Sequence, residues 1–263
     1  MTTIRKGQVD WLQEILNYER KYHFDFFGED YDLSEFEKTL KKYGKKKINK
    51  WKKFGLEPHF PPGVVMTEDV NYPGWKTKPE ACYYKLAAEG KILRNVNGKL
   101  VVDRQPFKLG NTTVLIDVRL KPHCECGSQV YENDNLLGPV IKQLREDEMI
   151  TEHKYGPQSS RFGVSVDKNK WNQIRLLLSE RIGLNQIRQE RIIEANIIPQ
   201  LYPYMPRKDD GNTNTFVWCE EFFEDDNYRF VFGCSTYGGL ACVSYRGSCD
   251  NPPYVSFRPL IVL

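Results

Sequence analysis

The sequence lacks any apolar stretch long enough to span a bilayer. The first residues, MTTIRKGQVDWLQEIL, also lack the continuous apolar segment and the small-residue cleavage site of a secretory signal. We therefore expect no membrane span and no export signal. Synthesis in the cytoplasm with later display at a surface stays open, and localisation is not assigned.

An excess of one charge is also missing. The chain of 263 residues has 38 basic and 35 acidic side chains and a formal net charge of +3. The overall electrostatic field of the protein therefore does not favour nucleic acid as a partner. The 40% hydrophobic and 28% charged residues are typical of a chain that buries a core, which excludes disorder and coiled coil for the whole protein.

Motifs for catalysis and for metals are scarce. The chain has no glycine-rich phosphate loop and no G-x-S-x-G nucleophile turn. Its one tight group of soft ligands is His123, Cys124 and Cys126, and the other histidines show no zinc-type spacing. We therefore predict a protein that is not an enzyme, with no cofactor and no metal.

The seven cysteines are an odd number, which would leave one without a partner in a full disulfide framework. Four of them, Cys219, Cys234, Cys242 and Cys249, lie in the last 45 residues. Free thiols in a reducing compartment are the preferred interpretation, and a disulfide scaffold is the alternative.

Residues 1–105 read as a mostly helical region that ends in a β-hairpin. Asp32 and Glu35 form a capping box for a helix that Gly44 is expected to end. Nine lysines lie between Lys38 and Lys53, either as a solvated helix end or as a patch for phosphate or another acidic partner. Asn97-Gly98 between two β-rich runs predicts the hairpin.

Residues 106–263 read as a second region, and the whole chain as an α+β protein. A buried strand is expected over 112–120, and helices from Pro139, from Asp167 to Gly183, and over about 185–198 before Pro199. A core shared by the two regions is an alternative to separate folding. After residue 200, short strands and loops rich in glycine, proline and aromatic residues follow.

The last 39 residues show a marked depletion. Lys, Glu, Gln, Met and Trp together account for 62 residues, and all of them lie at or before Glu224, although about nine would be expected by proportion in 225–263. Burial alone explains this incompletely, because the segment keeps charged residues such as Asp225 and Arg246. The five missing types are those that codons ending in C or T cannot encode.

The ending FVFGCSTYGGLACVSYRGSCDNPPYVSFRPLIVL resembles that of C-type-lectin-fold proteins of the formylglycine-generating-enzyme type and of the variable proteins of diversity-generating retroelements. Gly238-Gly239, Tyr245-Arg246, Pro252-Pro253 and Phe257-Arg258 match the family's segments in order, and Ser256 stands in place of a usual glycine. In that family, adenines of a template are randomised during reverse transcription. Codons AAC and AAT thereby become NNC and NNT, where N is any base. The chain is similar to a divergent branch.

The resemblance implies a C-type-lectin fold for residues 106–263, with a variable segment near 230–263 and with Gly239, Pro253, Phe257 and Arg258 as scaffold. The implied function is non-catalytic, receptor-like recognition of a protein or cell-surface ligand. The candidate contact residues are those of small or aromatic type, or with compatible codons: Ser235, Thr236, Tyr237, Leu240, Cys242, Ser244, Tyr245, Cys249, Asp250, Tyr254 and Val255. For Leu240, Cys242, Cys249, Asp250 and Val255, an ordinary core or turn role stays open.

Two other functions stay open. A formylglycine-generating-type oxidase would need a pair of cysteines that binds copper, whereas cysteine is also one outcome of a randomised codon. A nucleic-acid-binding protein would use the Lys38–Lys53 segment. Calcium is not expected, because the Glu-Pro-Asn, Gln-Pro-Asp and Trp-Asn-Asp motifs of calcium-dependent lectins are missing.

Overall fold

Helices and strands follow one another in mixed order in the computed structural model, which describes residues 11–125, 128–207, 213–235 and 239–263. The helices are α1 (Trp11–Phe27), α2 (Ser34–Lys53), α3 (Ala81–Ala88), α4 (Gly138–Glu146), α5 (Lys168–Ile182) and α6 (Ile192–Leu201). Among the described residues, none of these helices is long and apolar enough to cross a membrane.

The strands are β1 (Leu56–His59), β2 (Ile92–Val96), β3 (Lys99–Val102), β4 (Val114–Asp117), β5 (Ile187–Gln189), β6 (Phe216–Phe223), β7 (Tyr228–Phe232), β8 (Val243–Gly247), β9 (Val255–Phe257) and β10 (Pro259–Val262). They form two sheets. One has the order β1-β4-β10-β5 with antiparallel pairs, and the other has the order β3-β2-β6-β7-β8, with β9 parallel to β6. The α+β class is therefore confirmed.

Both sheets combine strands from the two predicted regions. Strand β1 pairs with β4, and β2 pairs with β6. The largest hydrophobic cluster likewise joins Phe36 and Trp51 of α2 to Trp218 and Phe257 of the C-terminal strands. The boundary near residue 105 therefore does not separate two cores.

Local signals predicted several elements correctly. Asn97 and Gly98 have φ values of 52° and 85° in the turn between β2 and β3. The Asp167 carboxylate accepts hydrogen bonds from the backbone N–H groups of Asn169 and Lys170 at the start of α5. Gly183 ends that helix in the left-handed conformation. These signals act within a few residues, which is why the sequence alone reveals them.

Two predicted helix boundaries were wrong. Gly44 has a φ of 73° and kinks α2, but the helix continues to Lys53 because Ile48 and Trp51 are buried in the core. Residues 187–189 form β5 instead of helix because they pair with β10. Helix α6 then starts at Ile192 and includes Pro199, whose cost in lost hydrogen bonding is offset by burial of nearly the whole helix.

The Asp117 carboxylate lies at the centre of a buried charge network. It accepts hydrogen bonds from Arg119 Nη1 at 2.8 Å and from Arg161 Nη1 at 2.5 Å. The fully buried Arg258 donates from Nη1 to the Asp117 carbonyl oxygen at 2.9 Å. Burial alone would raise the pKa of Asp117, but the guanidinium groups of Arg161, Arg119 and Arg258 hold it well below its usual range.

A second buried ion pair ties α1 to β1. Glu19 Oε2 lies 2.9 Å from His59 Nδ1, and Glu19 Oε1 accepts from the Phe60 N–H and from the Tyr202 hydroxyl, each at 2.8 Å. Burial opposes both charges, but their attraction outweighs it and shifts the pKa of Glu19 down to about 2 and that of His59 up to about 9. The chain therefore holds this pair ionised at neutral pH.

Replacement of Asp117 is expected to destabilise the protein strongly. Asp117→Asn removes a carboxylate shared by buried guanidinium groups and leaves Asp134 as the remaining carboxylate partner of Arg161 and Arg119, so the free energy of unfolding should fall by about 3–5 kcal/mol. Urea unfolding at pH 7 measures this. The exposed Asp30→Asn should change it by less than about 0.5 kcal/mol. Equal effects of the two substitutions would contradict a central role for Asp117.

The contribution of Glu19 should depend on pH. The stabilisation from His59 is complete below its ordinary pKa of 6.5 and is lost as the pH rises through 9. The stabilisation from Glu19 is complete above its ordinary pKa of 4.5 and is lost as the pH falls towards 2. The difference in unfolding free energy between the wild type and Glu19→Gln should therefore be largest between pH 4.5 and 6.5. The exposed Glu14→Gln should give a flat difference, and a flat profile for Glu19→Gln would refute the pairing.

Candidate recognition surface on the C-terminal strands

The structure distributes the predicted contact residues over different environments. Tyr245, Cys249 and Asp250 are exposed, whereas Ser235, Ser244 and Tyr254 are half-buried. Thr236 and Tyr237 lie outside the described residues. The described candidates have different neighbours: Tyr245 packs on Phe223, Cys249 lines a cavity beside α5, and Tyr254 packs on Phe216.

Three of the candidates lie in the core. Leu240 belongs to a buried cluster with Phe230, and Cys242 and Val255 belong to the largest cluster. Their side chains cannot contact a ligand in this conformation. The structure therefore favours the core role, which was the alternative for these three residues in the sequence analysis. Val255 lies in β9, which pairs with β6, and its side chain is fully buried.

Three aromatic side chains from neighbouring strands form a partly exposed surface, here called the aromatic patch: Phe223, Tyr228 and Tyr245. The rings of Phe223 and Tyr245 stack with centroids 4.0 Å apart, and the Tyr228 ring meets Tyr245 edge-on at 6.0 Å. Tyr228 and Tyr245 are 44% and 42% exposed. Phe223 also contacts the buried Phe230 edge-on at 5.8 Å, which anchors the patch to the core.

Sequence reasoning missed Phe223 and Tyr228. Both flank the acidic turn between β6 and β7, and Tyr228 lies within the segment that lacks Lys, Glu, Gln, Met and Trp. The hairpin brings them together because Phe222 pairs with Arg229 across the two strands. A search for aromatic residues on both sides of a predicted turn could have identified them.

Strand β8 is the last strand of its sheet, and side chains satisfy part of its outer edge. The Val243 N–H donates to Glu80 Oε2 at 3.2 Å, and the Gly247 N–H donates to Asp250 Oδ2 at 3.0 Å. Arg246 Nη1 donates to the Tyr245 carbonyl oxygen at 2.7 Å. Edges satisfied in this way resist pairing with another chain, so contacts here depend on side chains rather than on strand addition.

A cavity of about 750 Å³ lies between the other face of this sheet, the β2–β3 hairpin and α5, and its lining includes Lys168, Asn172, Glu220, Arg229 and Cys249. Arg229 is buried, donates from Nη1 to Gln189 Oε1 at 2.6 Å and lies 4.1 Å from the Phe222 ring centroid. Burial lowers the pKa of this guanidinium. Charges of both signs line the cavity, which suits a polar ligand group.

The buried thiols of Cys219 and Cys242 are poor nucleophiles. Burial raises the pKa of Cys242 to about 12, with the Glu80 carboxylate adding to the shift, and burial also raises the pKa of Cys219. Both are therefore thiols at neutral pH, whereas nucleophilic and metal-binding cysteines are thiolates. In the part of the chain that the structure describes, the six cysteines are unpaired, and no group of three or more His, Cys, Asp or Glu side chains is arranged to hold a metal ion.

Comparisons of this chain with protein-family models, curated proteins and solved structures found no match.

The aromatic patch should tolerate substitution with little loss of stability. Tyr245→Ser or Tyr228→Ser removes a partly exposed ring and should lower the free energy of unfolding by about 1.5 kcal/mol or less. Phe230→Ala, which removes the buried ring opposite Tyr245 on β7, should cost about 3–5 kcal/mol. Urea unfolding of the three variants measures the difference. A loss at Tyr245 as large as that at Phe230 would make Tyr245 a core residue.

Proposed function

We propose that this protein is a non-catalytic recognition protein with a C-type-lectin fold over residues 106–263. It binds protein or cell-surface ligands through exposed side chains of its C-terminal strands. The sequence of that surface is varied by a diversity-generating retroelement. The aromatic patch is the centre of the binding surface, and Ser235, Ser244, Cys249, Asp250 and Tyr254 are further positions that can vary.

The order of elements in the second half of the chain supports the proposed fold. Strand β4 is followed by α4 and α5, as in the outline that the resemblance implies, and the short strands to the C-terminus come after β5 and the additional helix α6. Arg258, expected as an anchor, is fully buried against Asp117 and over the Tyr131 ring at 5.1 Å. Phe257, also expected as scaffold, is fully buried.

The observation that carries the proposal is the exposure of Tyr228 and Tyr245 on the paired strands β7 and β8. Tyrosine offers a large amphipathic contact area and loses little conformational entropy on binding. The Phe223 ring holds Tyr245 from one side, and β7 pairs with β8 along five residues. Side chains at such positions can change while the backbone hydrogen bonds and the core stay intact.

Burial accounts for only part of the depletion. Half of the described residues in 225–263 are buried, where Lys, Glu and Gln are rare in any protein. The depletion is informative at exposed positions, where those residues are normally common, as on α2. All eight exposed positions carry residues that NNC or NNT codons encode: Asp225, Asp226, Asn227, Tyr228, Tyr245, Cys249, Asp250 and Asn251.

Sequencing of the gene and its flanking DNA across a population of cells tests this proposal. We expect substitutions at the codons for Tyr228, Tyr245, Cys249 and Asp250, because these side chains are exposed. Codons for the buried Phe257 and Arg258 should be constant and serve as the internal control. A nearby near-copy should carry adenines at the variable codons.

An invariant gene without a template copy and without an adjacent reverse transcriptase gene would overturn the retroelement part of the proposal. Variation spread equally over buried and exposed codons would contradict selection of a binding surface.

A further inference from the structure

The second half of helix α2 presents a concentrated positive surface. After the kink at Gly44, Lys45, Lys46, Lys47, Lys50 and Lys53 line one concave region of about 930 Å³ together with Tyr43 and Asn49. We call these five lysines the lysine face. The opposite side of the helix is held in the core by Ile48 and Trp51, so the lysines are presented on a fixed backbone.

Among the described residues, the ion pairs of this helix lie in its first half. Glu35 pairs with Lys38 at 3.5 Å, and Glu37 pairs with Lys41 at 2.7 Å. Within the described residues, no carboxylate lies within 4 Å of a lysine of the lysine face, and no acidic side chain lines the concave region. Like charges three and four residues apart on a helix repel one another, so an anionic partner would relieve a cost that the free protein bears.

The geometry favours a phosphate backbone as the partner. The nine helical residues from Lys45 to Lys53 span about 12 Å along the helix axis, which corresponds to three or four phosphates of one strand at about 3.4 Å of rise each. A membrane surface fits less well, because amphipathic membrane helices insert exposed apolar side chains. Of the described residues, α2 contributes none of the large hydrophobic side chains that are exposed.

We propose that the lysine face binds the phosphate backbone of nucleic acid without regard to base sequence. The inference is independent of the recognition surface, because it uses residues of α2 and none of the C-terminal strands. One anchor within the face is already fixed: Lys47 Nζ donates to the Ile182 carbonyl oxygen at 3.2 Å, which joins α2 to the end of α5.

The test measures binding of a fluorescein-labelled 20-base-pair DNA duplex by anisotropy between 50 and 200 mM NaCl. The wild-type protein should bind with a slope of log K against log salt of about −3 to −3.5, since each of three or four phosphate contacts contributes about −0.9. The variant Lys45→Gln, Lys46→Gln, Lys50→Gln, Lys53→Gln should reduce the slope to about −1 and weaken binding at least about 100-fold at the lowest salt. Glutamine preserves helix propensity, and Lys47 is left unchanged because of its structural contact.

A matched control carries Lys76→Gln, Lys85→Gln, Lys99→Gln and Lys154→Gln, which are exposed lysines elsewhere on the chain. It has the same net charge as the test variant and should keep the wild-type slope. Circular dichroism verifies that both variants fold. An equal loss in both variants would attribute binding to net charge and overturn the proposal. Binding of the wild type to phosphatidylserine vesicles but not to the duplex would also overturn it, in favour of a lipid partner.

Discussion

The rest of the fold depends on the neutralisation of buried guanidinium groups by the Asp117 carboxylate. Three arginines from different parts of the chain approach this residue: Arg119 beyond the end of β4, Arg161 before α5 and Arg258 between β9 and β10. A buried charge without compensation is costly, and Asp134 adds a second carboxylate for Arg161 and Arg119 beside Asp117. The network thereby joins the central strand of the first sheet to the last residues of the chain, and the C-terminal strands are placed relative to everything before them.

The C-terminal segment contains both core strands and exposed side chains. Strands β9 and β10 are almost fully buried and complete both sheets, whereas β8 and the β6–β7 turn present side chains to solvent. Replacement of a buried residue there would open a cavity in a core shared by both halves of the chain. Replacement of Tyr228 or Tyr245 would remove only a contact on the surface. The proposed function, in which ligand contacts vary while the fold is kept, needs such a separation.

Electrostatics act in opposite ways in the interior and on the surface. Inside, Asp117 and Glu19 pair with basic groups, so the fold keeps the full charge of these carboxylates at neutral pH. On α2, no carboxylate among the described residues lies within 4 Å of the five lysines of the lysine face. The interior charges are matched because desolvation is costly there, whereas the surface charges are left for water, ions or a partner.

The sequence by itself determined the features that depend on a few neighbouring residues: the Asn97-Gly98 turn, the Asp167 cap, the Gly183 stop and the run of lysines on α2. It also determined which amino acids are missing after Glu224. Tertiary structure alone decided which strands pair, that β5 replaces a predicted helical turn, and that Leu240, Cys242 and Val255 are buried. It also brought Tyr228 and Tyr245 together, and Asp117 to Arg161, 44 residues away. Such contacts depend on packing between distant segments, and no local pattern of side chains encodes them.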